Sequence, residues 1–280
     1  MKIISKVSAM QSFSLRSKRK DLSIGFVPTM GALHQGHLSL IKAAKKENDL
    51  VVVSIFVNPL QFGPKEDFKK YPRNLAQDIK WLKREGVDIL FHPSVSDMYK
   101  DGDNSTVEVK GFDKVLCGAR RPGHFKGVTT VVSKLFNIVM PDNAYFGLKD
   151  YQQQLIIRAM VKDLNHPVKI RSLPIVREKD GLAMSSRNRY LSNKQRVDAA
   201  NIYRSLCQAK KLIRQGEKSN RIVAEIKKMI RNIPDAKVDY ITMVDPDTLK
   251  KVERIRNRVL VALAIFIGKT RLIDNIIVNI

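Results

Sequence analysis

Residues Leu50 to Val57 read LVVVSIFV, an almost unbroken run of apolar, mostly β-branched side chains. Such a run has no face to give to water, so it fits a strand covered on both sides in the middle of a parallel sheet. The neighbouring segments supply what that sheet needs. Leu22 to Val27 reads as another strand, broken by Pro28-Thr-Met-Gly31, and His37 to Glu47 aligns Leu38, Leu40, Ile41 and Ala44 on one helical face. Asn74 to Glu85 reads as a helix stopped by Gly86, Val87 to Phe91 as a strand, Tyr151 to Leu164 as a helix and Val168 to Val176 as a strand. Strands alternating with helices of about 10–15 residues build right-handed βαβ units, hence a doubly wound α/β sheet.

From about residue 186 the texture changes. Two basic helical stretches, Asn193–Gln215 and Asn220–Ile233, precede extended segments Val238–Val244, Val259–Ile267 and Leu272–Val278. This order predicts a smaller C-terminal α+β domain, dividing the chain into 1–176 and 177–280 with a hinge between Val176 and Arg187.

Composition limits the functions available. The chain carries 51 Lys and Arg against 27 Asp and Glu, a formal charge of +24. A nucleic-acid binder is therefore one reading. Yet the lysines are scattered over helix faces, as in KKLIRQGEKSNRIVAEIKKMIR, with no aromatic platforms between them. No specific nucleic-acid partner is expected, and small polyanions would be drawn to the surface equally well. The longest uncharged apolar stretch, Val259–Ile267, has nine residues where a membrane helix needs about 20. Lys2, Lys6, Arg16, Lys18, Arg19 and Lys20 surround short apolar patches with no cleavage site, so no secretory signal is expected. Cys117 and Cys207 stand far apart and outside any zinc spacing, which predicts a reduced, cytoplasmic chain with no dedicated metal site.

The most informative stretch is Pro28-Thr-Met30-Gly31-Ala32-Leu33-His34-Gln35-Gly36-His37, which follows a strand and opens a helix. Gly31 and Gly36 permit backbone N–H groups to approach a ligand, and the helix start favours phosphate. His34 and His37 share the first helical turn, where two imidazoles can donate to an α-phosphate as charge develops on it. An isolated H-x-G-H is more often a capped turn; the strand before it and the helix after it reverse those odds.

Asn58 and Gln61, in Phe56-Val-Asn-Pro-Leu-Gln-Phe62, follow the buried strand. Open α/β sheets bind ligands at that carboxyl end, and amides suit hydroxyls and carbonyls. A polar turn explains these two residues about equally well. Tyr71-Pro-Arg73 and Arg121-Pro-Gly-His-Phe-Lys-Gly-Val128 come next, the second leading into the apolar helix VTTVVSKLFNIV. In Phe146-Gly147-Leu148-Lys149-Asp150-Tyr-Gln-Gln153, Lys149 is suited to meet the β- and γ-phosphates and Asp150 to orient a ribose or metal-bound water. Taken alone, a Lys-Asp pair at a helix start is more often capping and surface charge. Met184-Ser185-Ser186-Arg187 offers two hydroxyls and a guanidinium, a mobile phosphate clamp.

The H-x-G-H stretch resembles the signature of the nucleotidylyl-transferase and class I aminoacyl-tRNA synthetase superfamily, and Met184–Arg187 is similar in role to its KMSKS loop. Taken in order, PTMGALHxGH, FVNPxQF, YPR, RPGHFxGV, FGxKDxQQ and MSSRN closely resemble the pantoate–β-alanine ligases, densely over residues 22–191. The resemblance implies a Rossmann-like domain with a smaller domain closing over ATP, usually in a homodimer. It implies adenylation of pantoate by ATP with release of pyrophosphate, then displacement of AMP by β-alanine to give pantothenate, a precursor of coenzyme A. Mg²⁺ is implied as ATP's partner, held mainly by phosphate and water.

Carried over residue by residue, Met30, Gly31, Ala32, Leu33, His34, Gln35, Gly36 and His37 would line the ATP site, with His37, His34 and Lys149 catalytic. Gly147, Leu148, Lys149, Asp150, Val176 and the Met184, Ser185, Ser186, Arg187 clamp would also contact ATP. Gln61 would hold pantoate and help receive β-alanine, Asn58 and Gln153 would complete the pantoate pocket, and Arg121 would help near the β-alanine end. Cys117 and Leu148 stand where the family pattern has acidic residues. His92, His124 and His166 read as structural or surface groups. Another nucleotidylyl transferase is the alternative enzyme, one that would not need Asn58, Gln61 and Gln153 together.

Overall fold

Six parallel strands, β1 (Lys2–Ile4), β2 (Ile24–Thr29), β3 (Leu50–Ile55), β4 (Ile89–Phe91), β5 (Asn143–Gly147) and β6 (Lys169–Leu173), lie in the order β1-β4-β3-β2-β5-β6. They belong to a computed structural model in which residues 1–64 and 66–280 are described. Helices α1 (Val7–Lys18), α2 (Gln35–Glu47), α3 (Leu75–Arg84), α4 (Val95–Met98), α5 (Leu116–Arg120), α6 (His124–Val139) and α7 (Tyr151–Asp163) occur along the same part of the chain.

The β-branched run behaves as its composition requires. Val52 points into a core shared with Met10 of α1, Val128, Val132 and Phe136 of α6 and Ile157 of α7. Val51, Val53 and Ile55 point the other way, into a core with Leu38, Ile41 and Ala44 of α2 and Leu82 of α3. Alternate side chains of one strand thus reach two helix layers, which defines a doubly wound sheet.

The sequence places a break at Pro28, but β2 continues through it, with Pro28 opposite Ser54 and Thr29 opposite Ile55. The carbonyls of Ser23 and Thr29 accept bonds from the β3 side, so alternation turns the nitrogen of Pro28 toward β5. Pairing of β5 with β2 covers only Gly25 and Phe26, so the missing N–H costs no ladder bond there. The basic N-terminus also forms structure that its composition does not announce: β1 pairs with β4, and Met10 of α1 is fully buried.

By contact density the chain divides into Met1–Asp113, Arg121–Leu148 and Gln152–Pro174 as one unit, and Lys114–Arg120, Lys149–Tyr151 and Ile175–Ile280 as the other. The second unit holds α8 (Asn193–Arg214), α9 (Ser219–Arg231) and an antiparallel sheet of β7 (Ala236–Val244), β8 (Arg258–Ile267) and β9 (Thr270–Asn279) in the order β7-β8-β9. Val259, Val261, Leu263, Ile265 and Ile267 of β8 meet Ile202, Leu206 and Ile213 of α8 and Ile222, Ile226 and Ile230 of α9 in one core. Among the described residues no helix is long and apolar enough to cross a membrane.

Candidate active site

Strand order reverses between β2 and β5, the position where doubly wound sheets open a crevice at their carboxyl edge. The pairing of these two strands stops at Phe26 and Ala144, while β2 runs on to Thr29 and β5 to Gly147. The chain leaves β2 into Met30–His37 and, after Gly147 at the end of β5, runs into Leu148, so both predicted segments start at that gap.

Gly31 and Ala32 both have left-handed backbones, with φ of 78° and 48°. A Cβ on Gly31 would lie 3.0 Å from Ile55 Cγ2 and 3.1 Å from Asp78 Oδ2, so the turn needs glycine for conformation and for space. The buried carboxylate of Asp78, on α3, fastens this turn by accepting the N–H groups of Ala32 at 2.9 Å and Leu33 at 2.8 Å. Asp78 was not among the residues singled out by motif. Its signal is its alignment with Leu82 on the buried face of α3, where an ionised side chain requires a partner.

His34 is the N-cap of α2. Its Nδ1 accepts the Gly36 N–H at 3.1 Å, and Nδ1 of His37 accepts the His34 N–H at 3.3 Å. The rings lie 4.0 Å apart between centroids, tilted by 37°. A neutral imidazole that accepts at Nδ1 carries its proton on Nε2, so the hydrogen-bond network assigns both rings an Nε2 donor. Most backbone N–H groups of this turn are engaged by the protein itself. Those of Gly31, Ala32, Leu33, His34, Gly36 and His37 all donate within the protein.

Asn58 caps the short turn Pro59–Gln61 and is almost fully buried. Its Oδ1 accepts from the Tyr99 hydroxyl at 2.8 Å and the Leu60 N–H at 3.3 Å. Its Nδ2 donates to the Gly127 carbonyl at 3.0 Å and to Gln61 Oε1 at 3.2 Å. All four hydrogen-bonding positions of the amide are thereby used on the protein. Gln61 completes the chain by donating from Nε2 to Met30 Sδ at 3.0 Å, which joins the amide cluster to the loop after β2. It keeps one N–H and one lone pair beyond these two bonds. Gln153 lies half-buried in the first turn of α7.

Arg121 donates to both carboxylate oxygens of Glu66 at 2.6 Å, to His124 Nε2 at 2.8 Å and to the Gln61 carbonyl at 3.3 Å. His124 donates from Nδ1 to that same carbonyl at 2.8 Å. Burial pushes the Glu66 carboxyl upward, but the hydrogen bond and charge of Arg121 outweigh it and hold the group below its ordinary range. The RPGHF stretch therefore fixes the backbone of Gln61. His92 bonds the Ile55 carbonyl at 2.8 Å and His166 meets Ser133 at 3.3 Å, with burial lowering the His166 pKa.

In the second unit, Lys149 pairs with its neighbour Asp150 at 3.0 Å. Val176 begins a hairpin in which its carbonyl accepts the Met184 N–H at 3.0 Å and Arg177 bridges Ala183. Ser185 caps the following short turn by accepting the Arg187 N–H at 3.3 Å, and Ser186 is buried. Cys117 is buried against the Tyr240 hydroxyl at 3.2 Å and two nitrogens of Arg271 at 3.7 Å, while Arg271 pairs with Asp239 at 2.8 Å. Among the described residues no three His, Cys, Asp or Glu side chains gather as a metal cage.

An all-parallel sheet whose strand order reverses beneath an H-x-G-H turn defines a Rossmann-like α/β protein. A family model described as pantoate-beta-alanine ligase matches residues 2–277, and the chain belongs to that family and so to the ligases. It is 55% identical over 279 residues to a pantothenate synthetase of Thermosipho melanesiensis and 52% identical over 281 to one of Moorella thermoacetica, covering at least 99% of each. A pantothenate synthetase structure from Thermus thermophilus superposes with a TM-score of 0.94 at 44% identity, covering 99% of both chains. A Francisella tularensis pantoate-beta-alanine ligase, described as complexed with beta-gamma ATP and beta-alanine, gives 0.81 at 42% identity, covering 99% of this chain and 97% of that one.

Proposed function

We propose that the chain condenses pantoate with β-alanine at the expense of ATP, through pantoyl adenylate. In the first step a pantoate carboxylate oxygen attacks the α-phosphorus and the bond to the β-phosphate oxygen breaks, releasing pyrophosphate. In the second, the β-alanine nitrogen attacks the acyl carbon, the bond to AMP breaks, and the nitrogen loses a proton. A carboxylate is a poor electrophile; AMP gives it a leaving group.

The observation that supports this reading most is the reciprocally capped His34–His37 pair. Two ring donors at the start of α2 suit oxygens on which negative charge grows during attack. Gln61, with its amide steered by Asn58 and its peptide by Arg121 and His124, holds pantoate and then receives β-alanine, and Gln153 adds a second amide. Lys149, Asp150, Val176 and Met184–Arg187 serve the nucleotide, Lys149 as a point charge on the leaving phosphates. Mg²⁺ enters as ATP's counter-ion, held by phosphate and water. A homodimer belongs to the same reading.

The test is exchange of labelled pyrophosphate into ATP. Exchange that requires pantoate, with pantothenate and AMP formed once β-alanine is added, is the expected result. Exchange indifferent to pantoate overturns the reading.

A further inference from the structure

The nucleotide segments of the second unit converge on one dipeptide of β9. The Asn275 amide donates to the Lys149 carbonyl at 2.9 Å. Beside it, the Asp274 carboxylate, with a side chain 2% exposed, receives Arg177 through two nitrogens at 2.6 and 3.0 Å. Arg177 also donates to the Gly181 carbonyl at 3.0 Å and stacks 3.9 Å from the Tyr203 ring centroid, so it locks the hairpin that runs from Val176 to Met184. The tightness of that hairpin is visible at Gly181, which has φ of 95° and whose Cβ would meet Tyr203 at 2.2 Å.

We propose that Asp274 and Asn275 are positioning residues for the adenylation step, holding Lys149 and the Val176–Met184 hairpin in a fixed mutual register. This rests on the nucleotide role given above to Lys149. A buried amide on the Lys149 peptide sets where its side chain starts, and a bidentate ion pair is the strongest available anchor for the hairpin. Burial raises the Asp274 carboxyl, and the hydrogen bond and charge of Arg177 oppose that rise. Neither Asp274 nor Asn275 needs to touch substrate.

The experiment compares the two half-reactions in Asn275→Ala, in isosteric Asn275→Asp, which presents an acceptor to the Lys149 carbonyl, and in Lys149→Ala. Pantoate-dependent exchange should fall about tenfold in either Asn275 variant, chiefly through KM for ATP. Amide formation from supplied pantoyl adenylate and β-alanine should hold at the wild-type rate. Adding Asn275→Ala to Lys149→Ala should cause no further loss, because the amide acts through the lysine. Parallel loss in both half-reactions, additive losses, or failure of both Asn275 variants to fold makes the dipeptide merely structural and overturns the proposal. Exchange lost in Lys149→Ala but kept in both Asn275 variants removes the positioning role alone; exchange kept in Lys149→Ala removes the role of the lysine and this proposal with it.

Discussion

Nδ1 of His37 accepts the backbone N–H of His34, so the residue at the third position of α2 caps the residue that begins it. Two jobs are superimposed on these rings: capping the start of a helix and, in the proposed chemistry, donating to phosphate. They can be separated. Asn is as good an N-cap as the position requires, so His34→Asn should leave stability to urea within about 0.5 kcal/mol. Pantoate-dependent exchange should fall on the order of a hundredfold with the ring donor gone. Equal retention of stability and exchange would confine His34 to capping.

Asp78 should matter to the loop although no substrate needs to touch it. Asp78→Asn leaves one acceptor oxygen for two N–H groups and turns an NH₂ toward the second. A loss of about 2–3 kcal/mol in urea unfolding is expected, with a higher KM for ATP. An unchanged midpoint would show that the backbone of Ala32 and Leu33 does not depend on the carboxylate.

Gly127 is the spacer beneath the amide cluster. A Cβ there would lie 2.2 Å from the Leu60 carbonyl oxygen and 2.7 Å from the Gln61 nitrogen, both backbone atoms that cannot swing aside. Gly127→Ala should cost about 1–3 kcal/mol and raise KM for pantoate before it affects KM for ATP. Urea titration and initial rates with each substrate varied in turn check both parts.

The Glu66–Arg121 pair gives a pH dependence of known sign. The folded-state pKa of Glu66 lies below its ordinary value of 4.5, so its contribution is present above that value and lost as pH falls through the folded pKa. Glu66→Gln should therefore be less stable than wild type near pH 7, and the difference should shrink as pH drops below about 4.5. Denaturant midpoints of the two proteins between pH 7 and pH 3 supply the comparison. A constant difference across that range would remove the linkage.

Much of this was legible in the chain itself. The LVVVSIFV run fixed a two-sided strand because composition alone forbids it a wet face, and α8, α9 and β7–β9 appear within a few residues of their periodicity. Strand β1 and helix α1 escaped because three residues carry too little pattern and because α1 buries Ser14 and Ser17 while leaving Leu15 exposed. Pro28 misled because its effect depends on which neighbour its nitrogen faces, a property of sheet order. Within the site, residue types were readable but partners were not. Sequence nominates Asn58 and Arg121 as ligands, whereas their bonds to Tyr99, Gly127, Gln61 and Glu66 exist only after distant segments meet. Asp78 and Asn275 belong to the same class, for their value lies in which main-chain group they reach.

The saturated amide of Asn58 has a consequence for how this pocket can change over time. With every valence met inside the protein, it has nothing left to renegotiate with an altered acid. Aspartate would lose two donors and leucine would orphan the Tyr99 hydroxyl, the Leu60 N–H and the Gly127 carbonyl together. In the proposed chemistry a lineage drifting toward another hydroxy acid would leave this position untouched and work through Gln61, whose amide keeps one N–H and one lone pair.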